Sequence, residues 1–264
     1  MTESTDKIIV ERDGAIARLI LNNPARRNAI GTEMWQAMPR LLRDLDADEA
    51  VRVIIVKGAG GKAFSAGADI SEFKDTRAHP EAAAESDRMQ RYAHDTLAEV
   101  SKPTIAMIEG YCIGGGVEVA ILCDIQIAAD TARFGVTPAK LGLGYRFEDV
   151  RLLLTSVGPK YTKEILFTGR QFSAAEALAM GLINRVVPAA ELAVFVDDYA
   201  RAIAENAPLS VRAAKRTVEE AVKDAAERDL DVCARLVDAC YASEDYNEGR
   251  RAFAEKRKPR FTGR

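Results

Sequence analysis

The stretch Gly110-Tyr111-Cys112-Ile113-Gly114-Gly115-Gly116-Val117-Glu118-Val119-Ala120-Ile121-Leu122-Cys123-Asp124 holds one charge, Glu118, between Glu109 and Asp124. An acid in so apolar a run is expensive to bury. Gly114, Gly115 and Gly116 come directly before it, where a bare backbone lets a ligand approach and exposes amide N–H groups at a helix start. The pattern suggests an anion-stabilising loop beside a carboxylate. Within this segment alone, an ordinary tight turn into a buried helix, with Glu118 satisfied by a distant arginine, fits equally well.

A second loop decides between them. Arg52-Val53-Ile54-Ile55-Val56-Lys57 has the length, β-branched content and glycine boundary of a buried strand. It continues as Gly58-Ala59-Gly60-Gly61-Lys62-Ala63-Phe64-Ser65-Ala66-Gly67-Ala68-Asp69-Ile70. Two backbone N–H groups from separate strand-to-helix transitions are what is needed to hold an oxygen that becomes negative during a reaction.

Rival meanings of these glycines fail on neighbouring residues. Gly58 to Ala63 fits a dinucleotide-binding pattern formally, but no acid ends a second strand about 20 residues on. No tyrosine here has a lysine four residues later, as a short-chain dehydrogenase would require. Gly61-Lys62 is followed by Ala63, and Val56 stands where a phosphate-binding loop has its first glycine. Ala63-Phe64-Ser65-Ala66-Gly67 mimics a nucleophile elbow. Its base would have to be His79 or His94, the sole histidines, and both fall in a polar, charged stretch that reads as a solvated loop and helix.

At 264 residues, 48% hydrophobic and 29% charged, the chain can bury one large core, or a core plus a small helical appendage. The start Met1-Thr2-Glu3-Ser4-Thr5-Asp6 is polar, and no apolar run approaches the roughly 20 residues that cross a bilayer. A cytoplasmic enzyme without signal peptide or membrane span is therefore expected. Cys112, Cys123, Cys233 and Cys240 have no C-x-x-C spacing, so neither a metal site nor a disulfide framework is expected. The net charge of -3 makes general nucleic-acid affinity unexpected. Arg250 to Arg260 is nonetheless strongly basic. It reads as a solvated helix end, with a phosphate-rich ligand or RNA as the alternatives.

Ile8 to Arg12 and Ala15 to Leu21 alternate as a hairpin through Asp13-Gly14. Thr32 is placed to cap a helix carrying Met34, Trp35, Met38, Leu41, Leu42 and Leu45 at helical spacing. Strands are expected at 52–57, 104–108 and 124–128, and a charged amphipathic helix at 81–100. After Pro188 the pattern is helical: 189–206, 208–223, 227–240 and 244–256.

The chain resembles the crotonase, or enoyl-CoA hydratase/isomerase, superfamily. The matching stretches are Leu21-Asn22-Asn23-Pro24-Ala25-Arg26-Arg27-Asn28-Ala29, Ala63 to Ile70, Gly110 to Asp124, Phe134 to Gly142, and Phe167 through to Pro188, in the family's order and spacing. The resemblance implies an α/β fold: a spiral of ββα units over residues 1–188 that holds the acyl-CoA site. Residues 189–264 would form a C-terminal helical region for oligomerisation and active-site cover. It implies trimers, often paired into hexamers. Coenzyme A would enter as part of the substrate, with no other cofactor. Carried over by motif, the N–H groups of Ala68 and Gly115 would hold an enolate oxygen, with Gly114 beside them. Arg26, Arg27, Ala66, Asp69 and Ile70 would line the coenzyme A path. The helix at 81–100 falls where the family varies near the acyl pocket.

Glu118 falls on the first of the two glutamates with which the family's hydratases hold and activate water. The second position carries Pro138, which can neither give nor take a proton, and its neighbours Thr137 and Ala139 are not acids. Glu148 or Asp149 could reach in instead, or Tyr145 could donate a proton or hold water near Glu118; Tyr145 could equally be a loop aromatic packed on the pocket wall. Thr137-Pro138, Leu141-Gly142 and Tyr145 also resemble the family's acyl-CoA decarboxylases, from which Ala68 and Gly144 depart. The expected function is thus hydration of a 2-enoyl-CoA. The alternatives are decarboxylation or double-bond isomerisation with one carboxylate, or a non-catalytic acyl-CoA- or RNA-binding member.

Overall fold

A computed structural model describes residues 5–264; the part of the polar start from Met1 to Ser4 lies outside the described residues. The chain opens with a hairpin, β1 (Ile8–Asp13) and β2 (Ile16–Leu21), followed by α1 (Thr32–Ala47). Three ββα units come next. The first is β3 (Val53–Gly58), β4 (Ala63–Ser65), a short α2 (Phe73–Thr76) and α3 (Pro80–Glu99). The second is β5 (Thr104–Ile108), β6 (Tyr111–Ile113) and α4 (Gly115–Leu122). The third is β7 (Ile125–Ala129), β8 (Arg133–Gly135) and α5 (Phe147–Thr168). Then follow β9 (Phe172–Ser173), α6 (Ala174–Met180), β10 (Arg185–Val187), α7 (Leu192–Ala204), α8 (Pro208–Ala221), α9 (Leu230–Ala242) and α10 (Glu244–Ala254).

The first strand of each unit enters one sheet and the second strand another, in the same order. The larger sheet runs β1-β2-β3-β5-β7-β10, parallel from β2 onward, and the smaller runs β4-β6-β8-β9. This is the spiral expected from the resemblance. Because β4 and β6 are paired in parallel, with Ala63 opposite Tyr111, the loops that leave their C-terminal ends emerge side by side. Residues 45 positions or more apart are thereby brought together.

Both faces of the larger sheet are covered, which explains the unbroken apolar run in β3. Ile54 and Val56 point with Leu19, Met38 and Leu97 into the main core. Val53 and Ile55 point the other way, with Ile105 and Ile127, onto Leu192, Val196 and Ala200 of α7. The period-two alternation of a strand sends neighbours to opposite cores. Arg18 of β2 ties α7 down through Asp197 at 2.7 Å. Among the described residues no helix is long and apolar enough to cross a membrane.

Thr32 is not the cap of α1. It is the first helical residue, and Gly31 before it provides no side-chain cap. Glu72, from the loop after β4, takes that role: its Oε2 accepts from Thr32 N at 2.8 Å and Thr32 Oγ1 at 2.7 Å. A Cβ on Gly31 would lie 2.3 Å from Glu72 Oε1, so the carboxylate reaches the helix start only because position 31 is glycine. The C-terminal helices appear as expected, though α7 and α9 start about three residues late, after short 3-10 turns.

Asn28 fixes the loops from below. Fully buried, it donates from Nδ2 to Ala59 O at 2.9 Å and Ala63 O at 2.7 Å, and its Oδ1 accepts from Asn23 N at 3.0 Å. Gly116 closes the gap between the two loops: a Cβ there would sit 2.6 Å from Ser65 O and 2.9 Å from Ser65 Cβ. Gly116→Ala is therefore expected to destabilise the protein by about 1–3 kcal/mol, as overpacking does. Urea unfolding checks this, and an unchanged midpoint would mean that the loops can separate freely.

Candidate active site

The backbone N–H groups of the first loop can be accounted for one by one. Ala66 N donates to Arg27 O at 2.9 Å, Gly67 N to Ser65 Oγ at 3.1 Å and Asp69 N to Ile30 O at 3.1 Å. Ala68 N, between them, has no acceptor among the described residues. In the second loop Gly114 N donates to Gly135 O at 2.8 Å, whereas Gly115 N has no acceptor among the described residues. Gly67 (φ +88°) and Gly114 (φ +54°) adopt conformations that favour glycine, and they turn the chain so that Ala68 and Gly115 face one cleft. A Cβ built on Gly115 would lie 3.8 Å from Ala68 N and 3.7 Å from Glu118 Oε2. Two free donors and a carboxyl thus surround one small space.

Glu118 sits in the first turn of α4 and is 3% exposed. Its Oε2 accepts from Gln90 Nε2 at 3.0 Å, and the Tyr145 hydroxyl also hydrogen-bonds to the carboxyl. Burial, with the nearby Asp149 charge, pushes its pKa up to about 8, against the lowering effect of those two hydrogen bonds. His94 Nε2 lies 4.0 Å from Glu118 Oε2. That nitrogen is buried and has no hydrogen-bond partner among the described residues, and burial lowers the His94 pKa to about 4. Near neutral pH the pair is a protonated carboxyl beside a neutral imidazole.

The position of His94 corrects the sequence-based expectation. His79 is solvated and caps α3, accepting from Ala82 N, but His94 is 8% exposed and packs edge-on against Trp35. Asp87, Gln90, Arg91 and His94, spaced at helical intervals, form a polar stripe on α3 along the cleft, while Ala93 and Leu97 pack into the core. Charge on both faces hid the stripe in the sequence. Its signal was the spacing of Gln90 and His94, one turn apart.

The segment 137–149 forms the opposite wall. Pro138, Tyr145 and Asp149 line the cleft, and no carboxyl group comes from positions 137–139. Glu148 lines the cleft as well, but it is exposed and held by Arg91 at 3.0 Å. Arg146 is ion-paired to buried Asp87, which Arg77 also holds at 2.8 Å. These pairs latch the segment to α3 and set Tyr145 and Asp149 beside Glu118. Burial raises the Asp149 pKa, and burial with the Glu118 charge raises that of Tyr145.

Ala66, Ile70 and Gly114 line the cleft as well, whose volume is about 420 Å³. Arg26, Arg27 and Asp69 stand beside it without lining it. Arg26 is held by Asp69 at 2.9 Å and by Ser71, and Arg27 lies over the Tyr111 ring. Part of the basic C-terminal segment is paired with carboxylates. Arg251 and Arg257 clasp Glu248, and Lys258 pairs with Glu205. His94, Glu118 and Asp149 each place a possible ligand atom within 4.8 Å of the others. With Gln90 and Tyr145 hydrogen-bonded to Glu118, however, the carboxyl fits a protein-bound proton-transfer group better than a metal ligand.

A family model described as enoyl-CoA hydratase/isomerase matches residues 11–264. A protein named as a probable enoyl-CoA hydratase in Mycobacterium bovis is 37% identical over 259 residues, 98% of this chain and 99% of its own. The short-chain-enoyl-CoA hydratase of Clostridium acetobutylicum is 32% identical, covering 96% of each chain. A solved structure of an enoyl-CoA hydratase/carnithine racemase from Magnetospirillum magneticum superposes with a TM-score of 0.93 at 39% identity, covering 100% of this chain and 98% of that one.

Proposed function

Given that the chain belongs to the enoyl-CoA hydratase/isomerase family, we propose that it adds water across the double bond of a 2-enoyl-CoA. The free Ala68 and Gly115 N–H groups would hold the thioester oxygen as it becomes an enolate, with Glu118 as the acid–base residue beside it. The observation that carries this is the convergence of two donors lacking acceptors with one buried carboxyl. Preorganised donors of this kind stabilise charge that develops in the transition state. Coenzyme A enters with the substrate, passing Ala66 and Ile70 and the ledge formed by Arg26, Arg27 and Asp69; no resident cofactor is called on.

Crotonyl-CoA, longer 2- and 3-enoyl-CoAs, and methylmalonyl- and ethylmalonyl-CoA, with products resolved by mass spectrometry, provide the test. The expected product is the 3-hydroxyacyl-CoA. Loss of carbon dioxide or migration of the double bond without water uptake would replace hydration by enolate chemistry with a single carboxylate, which Pro138 in the second glutamate position would favour.

The assembly we infer is a trimer or a pair of trimers. In support, α9 buries none of its residues, and Leu230, Val237 and Tyr241 on it are exposed, as are Val222 and Phe253 nearby. Apolar side chains concentrated in this way mark an association surface. Light scattering is expected to give three or six times the 28.8 kDa chain mass. A monomer at micromolar concentration would refute this assembly.

A further inference from the structure

We propose that His94 is the second proton-handling group of this site, holding with Glu118 the water that adds to the substrate. The inference rests on the hydratase assignment above. Pro138 leaves positions 137–139 of the opposite wall without an acid, so another group must accept the water's proton. Three groups stand close enough to Glu118 to be considered. The Tyr145 hydroxyl is already engaged with the Glu118 carboxyl, and burial favours its protonated form. Asp149 is half-buried at the start of α5, where burial raises its pKa and the Arg146 and Arg91 charges act against that rise. Of the three, only His94 Nε2 is buried without a partner among the described residues. An orphaned polar atom in a protein interior costs on the order of 1–3 kcal/mol and calls for an explanation. Here the 4.0 Å gap to Glu118 Oε2 is too long for a direct hydrogen bond, and a small shift of the imidazole toward the cleft that His94 lines would let one water touch both.

The geometry also divides the two roles. Glu118 Oε2 lies beside the Gly115 and Ala68 donors, so its proton meets the carbon next to the thioester carbonyl. The imidazole, 4.0 Å from Glu118 Oε2 and lining the same cleft, is then assigned to the β-carbon. In the addition, the water oxygen bonds to the β-carbon while one O–H bond breaks, its proton going to Nε2. The π pair moves onto the thioester oxygen, and the resulting enolate takes the Glu118 proton at the α-carbon. This leaves imidazolium and carboxylate. Transfer of that proton from Nε2 to Oε2 restores both groups, for a net addition of H and OH. The groups facing His94 are Glu118 from α4, Asp149 from α5 and the Trp35 ring from α1.

His94→Gln and His94→Asn, compared with wild type, separate this role from a packing role. Two reactions are followed: hydration of crotonyl-CoA across pH, and exchange of the α-protons of butyryl-CoA in heavy water. Exchange needs the donors and Glu118 but no attacking water. Expected is a loss of at least about a hundredfold in hydration kcat, the usual scale of general acid–base help, with exchange within about threefold of wild type. The acid limb of the pH profile should also disappear. Hydration within threefold of wild type, with that limb intact, would overturn the proposal and leave the hydratase assignment standing. Wild type that exchanges without hydrating would overturn both. Equal losses of hydration and exchange in both variants would show that His94 acts by packing alone.

Discussion

Glu118→Gln is expected to lower hydration by about a hundredfold to ten-thousandfold while leaving the fold intact, because the amide keeps the shape of the carboxyl but carries no transferable proton. The same substitution should stabilise the protein in a pH-dependent way. Burial holds the Glu118 pKa near 8, against an ordinary value of 4.5. Below pH 4.5 the carboxyl is protonated both folded and unfolded and adds no pH dependence. Between those values only the folded chain keeps the proton, so wild-type stability falls as pH rises through the window. Glutamine removes that loss, which can reach several kcal/mol above pH 8. The melting temperature of the variant should match wild type near pH 4 and exceed it by several degrees at pH 8. Retained activity would show that another group carries the proton. A stability difference that does not change with pH would mean that Glu118 titrates in the folded protein as it does in the unfolded chain.

Gly115→Ala should cost about a hundredfold to a thousandfold in kcat, the range seen when a donor to a developing oxyanion is lost. The N–H remains, but the new methyl would sit 3.8 Å from Ala68 N and 3.7 Å from Glu118 Oε2, in the space that the substrate oxygen must enter. Those are ordinary contact distances, and Gly115 has no positive φ, so the chain can fold around the methyl. Replacing glycine within the first turn of α4 should even add about 0.5–1 kcal/mol through reduced freedom of the unfolded chain. The expected result is a protein of equal or higher stability with little turnover. Activity within threefold of wild type would mean that substrate oxygen binds elsewhere.

The contrast with Gly116→Ala shows how tertiary distance separates neighbouring glycines. At position 116 the methyl meets Ser65 backbone, which cannot yield without opening the loops, and at 115 it meets only the cavity. The sequence shows three adjacent glycines and has no means of ranking them. The register within the first loop was settled in the same way. Ala66, Ala68 and Asp69 all offer an N–H, but two of these are occupied by Arg27 O and Ile30 O, acceptors some 40 residues away.

The local elements were legible because period and punctuation are local properties. The apolar run of β3, the Asp13-Gly14 hairpin and the helices after Pro188 each follow from residues within one element. Family membership was legible too, since its loops are short motifs at fixed intervals. Glu118 stood out as a lone charge in an apolar stretch. His94 did not, because a histidine among charged residues on an amphipathic helix looks the same whether it faces water or a cleft. Gln90 gave no sign of its partner for the same reason.

By itself, then, the sequence determined the ββα succession, the two glycine loops and the acid between buried residues. Only the tertiary structure decided which N–H groups lack acceptors, that Glu72 rather than Thr32 caps α1, and that His94 stands 4.0 Å from Glu118. Hydrogen-bond satisfaction and burial are properties of pairs. Their partners lie 24 residues apart for His94 and Glu118 and 40 apart for Thr32 and Glu72, and only the parallel pairing of strands and the packing of helices over them brings such partners into contact.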